Sequence, residues 1–165
     1  MEMIEYMKQY YHSERSMAFL AAAIGFAFIL IAWGAFRHFG LEQFNRGFIY
    51  TLVITGLFLL SGLGFAFQNS KKMAEVNSYT QTNSELQQIE IQRVGKVLAT
   101  GYRVPAILSS IMILIGLGLV LINPSHLLRG IGIGILLFGT ALHTIDFFSI
   151  NKHKIYYETL KELKF

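Results

Sequence analysis

The sequence predicts an all-α polytopic membrane protein, with four transmembrane helices forming two tandem helical hairpins and a cytoplasmic helical linker between spans two and three. Composition is the first observation: 53% of the 165 residues are hydrophobic and the mean hydropathy is +0.47, both above ordinary soluble domains. Distribution is the second, because residues 17–36, 47–67, 104–122 and 130–145 contain no Asp, Glu, Lys or Arg. Spans are expected at about 17–37, 47–68, 104–122 and 130–150. Roughly 20 residues at ~1.5 Å each cross a hydrocarbon core of ~30 Å. None carries the polar stripe, recurring every three or four residues, that a soluble helical bundle needs. Charge placement is the third observation. Lys8, Arg15, Lys71, Lys72, Arg93, Lys96, Arg103, Lys152, Lys154, Lys161 and Lys164 flank one side of the spans, whereas the opposite loops hold only Arg37, Arg46 and Arg129. The positive-inside rule then puts both termini and the linker in the cytoplasm of a multi-pass inner-membrane protein.

Several function classes drop out at this level. The absence of cysteine removes disulfides and thiolate chemistry. A net charge of +4 does not point to nucleic acid, because the basic residues flank apolar spans instead of lining a soluble face. Glu2, Glu5 and Glu14 precede an apolar run too long for a signal peptide, so the first span is expected to stay in the mature chain.

Taken in order, the N-terminal segment places Ile4, Met7 and Tyr11 on one apolar stripe, and the tail 151–165 does the same with Tyr156, Leu160 and Leu163. Both stripes suit interfacial helices on the inner leaflet, with Lys161 and Lys164 toward the lipid headgroups, and equally suit contact with the linker. Within the spans, Ala21/Gly25, Gly62/Ala66 and Gly130/Gly134 put small residues four apart, which lets helix backbones approach. They are read as packing sites inside the molecule ahead of contacts between copies. Pro105 falls in the first turn of the third span, where its missing N–H costs little, and Pro124 lies just past the end. In the linker, 69–103, Met73, Val76 and Tyr79 continue the second span outward. Ser84 with Gln87 resembles a capping box that opens a helix running into the third span. The expected product is a pair of short antiparallel helices. On the second of them, Glu90 and Arg93 form an i, i+3 pair, read as a solvated surface pair ahead of a recognition face for a partner.

The halves are also similar to each other. Sliding the chain by 83 residues puts Arg46, Gly47, Gly56, Leu59, Phe65 and Lys71 on Arg129, Gly130, Gly139, Leu142, Phe148 and Lys154. Arg15 and Arg103 open the first span of each half, which suggests a parallel tandem repeat about an axis along the membrane normal.

No catalytic spacing, cofactor motif or metal set emerges, and the chain is read as not an enzyme. His38 and Glu42 share a helical face, but two ligands do not make a metal site. The intramembrane polar pair His143 and Asp146 is the strongest candidate for chemistry. At i, i+3 they share a face and could relay protons. Asp146, only about four residues or ~6 Å inside the span boundary, is read instead as an anchor reaching Arg15 or Arg103. His143 is expected to meet Asp146, Ser109 or Ser110.

Four spans, a linker rich in Gln and Glu, and the basic tail "NKHKIYYETLKEL" resemble small uncharacterised bacterial inner-membrane proteins; some immunity proteins of secreted toxins are similar in layout. The resemblance implies a non-enzymatic interaction protein that neutralises or scaffolds a membrane partner by helix packing. Membrane lipids and a protein partner, or a second copy, are its expected contacts. The alternative is a small oligomeric channel or transporter using His143 and Asp146.

Overall fold

The computed structural model describes residues 3–79, 82–101 and 103–163, the side chains of Asn77 and Arg103 excepted. It is all-α: α1 (Met3–Phe39), α2 (Gln43–Leu60), α3 (Gly62–Glu75), α4 (Asn83–Lys96), α5 (Arg103–Leu121) and α6 (His126–Glu162). Four helical stretches are long and apolar enough to cross a membrane: α1, α2 continued by α3, α4 continued by α5, and α6. The α2–α3 join tightens at Ser61, whose hydroxyl donates to the Phe58 carbonyl at 2.6 Å. Val97–Gly101 widens into a single π-turn between α4 and α5. The α1–α2 turn closes on Gly40, whose φ of +67° lies in the left-handed region that a residue without Cβ enters freely.

The spans pack in a row. α1 lies on α2 and α3, α2 on α6, and α6 on α5, while among the described residues the backbone of α5 approaches no other span. A closed four-helix bundle is therefore not formed. Lipid supplies no hydrophobic force to close one, so contacts form where small residues admit a neighbouring backbone. At the α2/α6 crossing these contacts are reciprocal. A Cβ on Gly47 would strike the Leu127 carbonyl and lie 3.0 Å from the Ile131 nitrogen, and one on Gly130 would strike the Phe44 carbonyl and lie 2.9 Å from the Phe48 nitrogen. Gly25 and Gly56 face each other across α1/α2 in the same way. Gly134 abuts Thr51, Gly62 lies against Ala18, and Ala66 is buried, so the small residues singled out in the sequence serve packing within the chain. Replacing Gly130 by alanine is expected to cost about 1–3 kcal/mol as the helices part, read as a lower melting temperature in detergent. Alanine at Gly64, where a Cβ meets nothing within 4 Å, should leave melting unchanged.

Of the two readings of the terminal stripes, both termini take contact with the linker and not the interfacial one. α1 and α6 are each 37 residues long, about 55 Å against a hydrocarbon core of ~30 Å. They continue as unbroken helices out of the spans on the side that carries the linker. There Met3, Met7, Tyr10 and Tyr11 of α1, Val76, Leu86 and Val94 of the linker, and Tyr156 and Leu160 of α6 form a buried core. The apolar stripes thus cover one another and α4 instead of lying on lipid. Lys161 sits 4.1 Å above the Tyr157 ring, and Lys164 lies outside the described residues. The expected antiparallel linker pair is also revised, since α4 packs on α6 and α1 and not on α3. Its cap is Thr82, with Glu85 as the reciprocal partner, two residues ahead of the expected Ser84 and Gln87. Gln87 instead donates to the Leu160 and Leu163 carbonyls, satisfying acceptors that the end of α6 leaves open.

Candidate functional site

The linker-side core wraps a polar cluster. Arg93 on α4 donates through Nε to Glu90 Oε1 at 2.9 Å and through a terminal nitrogen to Oε2 at 2.7 Å, a bidentate pair. Tyr156 on α6 donates its hydroxyl to Glu90 Oε2 at 3.2 Å. The guanidinium also lies 5.4 Å from the ring centres of both Tyr10 and Tyr11, and Tyr10 stacks on Tyr156 at 4.0 Å. The Glu90 side chain is only 3% exposed, so the surface pair expected from the sequence is a buried one. Glu90 and Arg93 pair at i, i+3 as their spacing predicts, on the side of α4 that faces the tyrosines of α1 and α6.

Electrostatics follow from this burial. Burial opposes charge on Arg93, yet the hydrogen bond and charge of Glu90, followed by Tyr11 and Tyr10, outweigh it and hold the guanidinium above its ordinary range. Burial and then Glu90 push the Tyr11 phenol up to about 12, and raise Tyr156 in the same way.

Beside this pair stands a second group. His153 on α6 meets the Tyr10 hydroxyl through Nε2 at 2.6 Å and the Ser149 carbonyl through Nδ1 at 2.9 Å. Nδ1–H therefore donates to the carbonyl and Nε2 accepts from the phenol, the neutral tautomer. Burial lowers His153, with the Ser149 bond partly offsetting it. Glu14 Oε1 lies 3.6 Å from Nδ1, buried and without a hydrogen-bond partner among the described residues. Burial raises Glu14 to about 7 against the smaller opposing pull of Lys152 and Arg93. With the carboxyl pushed up and the imidazole pushed down, this contact is not an ion pair at neutral pH. It is a carboxyl able to take or release a proton near neutrality.

Glu14, His153, Arg93 and Tyr10 line a hollow of about 580 Å³ that runs down between α1, α2 and α6 to Phe58, Leu142 and Asp146. On the other flank of α6 the same Phe58, Leu142 and Asp146 border a second, almost wholly apolar cleft of about 420 Å³ beside α5. Asp146 is thus the one acidic group common to both. His143 pairs through Nδ1 with Ser109 Oγ at 3.1 Å, one of the serines expected from the sequence. Asp146 makes no hydrogen bond or ion pair to His143 or Arg15 among the described residues, so the expected anchor to Arg15 is not formed; the Arg103 side chain lies outside them. None of Glu14, Tyr10, His153 and Tyr156 is read as a site residue from the sequence, where Glu14 is a charge ahead of the first span and Tyr156 part of the tail's apolar stripe. Their one sequence signal is the Tyr and His content of "QYYHSE" and "NKHKIYYE", ends brought together across 143 positions. Compared with known proteins, the chain matches no family model, no curated protein and no solved structure.

Proposed function

We propose that this is a non-enzymatic interaction protein of the bacterial inner membrane, with both termini cytoplasmic, that engages a membrane partner by helix packing in the manner of an immunity protein. The observation that carries this reading is the cleft beside α5. α5 is the least buried of the four spans, and its open flank, with Ile54 and Phe58 of α2 opposite Leu108 and Met112, leaves room for side chains of a further helix over Phe138. Small-residue crossings already join the other spans, so a partner helix at this flank would extend the row by the same packing. The reciprocal Gly47 and Gly130 contacts support the two hairpins being an internal repeat.

A photo-crosslinking residue at Leu108 in the native host tests the reading. A single stoichiometric membrane partner is expected, lost when Met112→Trp fills the cleft. Adducts to lipid alone sink the proposal. Self-adducts together with ion flux in proteoliposomes that fails in Asp146→Asn favour the channel or transporter, for which Asp146's position between two hollows is the supporting observation.

A further inference from the structure

We propose that the hollow on the linker side binds a hydrophobic organic monocation, held by Glu14 and Asp146 between aromatic walls. This goes beyond the partner-docking reading and does not rest on it. Its volume of about 580 Å³ falls within the roughly 300–1,000 Å³ of small-molecule sites. The hollow has two ends of different character: Phe58, Phe65 and Leu142 wall the membrane end, and Tyr10 and Tyr11 wall the other.

Its charges sort by whether they are already answered. Arg93 faces the space but is neutralised by two bonds to Glu90. His153 is neutral, with Nδ1 given to Ser149 and Nε2 to Tyr10. Two carboxyls remain: Glu14, with Oε1 buried and unbonded, and Asp146, with no ion pair among the described residues. A carboxylate withdrawn from water costs free energy until a proton or counter-charge reaches it. An anionic amphiphile would meet both carboxyls, with Lys72 at the mouth and Lys152, already drawn on by Glu14, as the cations left to offset them. A hydrophobic ammonium or phosphonium meets the carboxylates by charge and the rings by cation–π and apolar contact.

Protons compete for the same place. The charges acting on Glu14 are Lys152 from α6 and Arg93, paired with Glu90, from α4; His153 lies beside it, and Asp146 from α6, Lys72 from α3 and Tyr10 and Tyr11 from its own helix line the same hollow. Of these Glu14 itself gains a proton between pH 8 and 5.5, so cation affinity falls on acidification.

The experiment is calorimetric titration of the full chain in detergent micelles with tetraphenylphosphonium at pH 8 and 5.5. Expected are saturable binding with one site per chain at pH 8, a roughly tenfold or greater loss at pH 5.5, and a similar loss at pH 8 in Glu14→Gln. That variant should also lose the pH dependence while melting no lower than the parent. Absence of saturable binding to the unaltered chain, or unchanged affinity in a folded Glu14→Gln, overturns the proposal. Should Glu14→Gln fail to fold, Asp146→Asn decides, with retained affinity counting against the site and a tenfold loss for it.

Discussion

Replacing Glu90 by alanine is expected to destabilise the protein by about 2–3 kcal/mol. The reason is what stays behind. Glu90 is nearly fully buried and answers the Arg93 guanidinium with both oxygens, while accepting from the Tyr156 hydroxyl. Without it a positive charge one-third exposed remains between two tyrosine rings, and a buried phenol loses its acceptor. The pair itself is not worth that much, because bringing both charges out of water offsets much of their attraction. Glu90→Met combined with Arg93→Met should therefore cost far less than Glu90→Ala alone. Melting in detergent, followed for each single variant and the pair, checks both statements, and a double variant as unstable as the single would contradict the account. The damage should also be local. Since the cluster ties α1, α4 and α6 together outside the spans, proteolysis of the linker is expected to rise while the α2/α6 crossing holds.

The membrane half of this fold was legible in the sequence because lipid imposes a one-dimensional rule. A helix of about 20 apolar residues must cross, and a charge marks where it stops. Small residues four apart likewise foretold close approach, and Gly130 and Gly134 make it with α2. What the sequence could not supply was the continuation of α1 and α6 beyond the bilayer. An amphipathic stripe such as Ile4, Met7 and Tyr11 looks alike whether it meets lipid or protein, and only the third dimension shows that α4 lies across it. The same ambiguity hid the site. Glu90 and Arg93 at i, i+3 read as an ordinary surface pair until the tyrosines of both ends close over them. Glu14 looks like one more flanking charge until His153, from the far end of the chain, comes within 3.6 Å of it. His143 and Asp146 share no hydrogen bond among the described residues for a related reason. Helical spacing puts them on one face, but Ser109 on the neighbouring span takes the imidazole.

Glu14→Gln is expected to stabilise the protein at pH 8 and to change how stability depends on pH. A carboxyl raised from 4.5 to about 7 by burial binds its proton more tightly in the folded chain than in the unfolded one. Stability from Glu14 is therefore greatest below pH 4.5, falls as pH rises from there to about 7, and stays low beyond it. At about 1.4 kcal/mol per pH unit the whole difference is at most ~3.5 kcal/mol, and the residual exposure of the side chain reduces it to ~2 kcal/mol. His153 runs the other way. Its depressed imidazole favours the fold when neutral, so its contribution is present above pH 6.5 and is lost as pH falls through the folded value. Between about pH 4.5 and 6.5 the two neighbours thus oppose each other, and the parent protein should show a shallow profile there. A neutral amide at position 14 removes one side of this balance. Melting temperature measured from pH 4.5 to 8 without added cation should then rise with pH in Glu14→Gln, and exceed the parent by the equivalent of ~2 kcal/mol at pH 8. A variant whose profile runs parallel to the parent would mean that Glu14 is ionised and solvated in the folded chain. The buried, unbonded oxygen beside His153 would then not be its resting state.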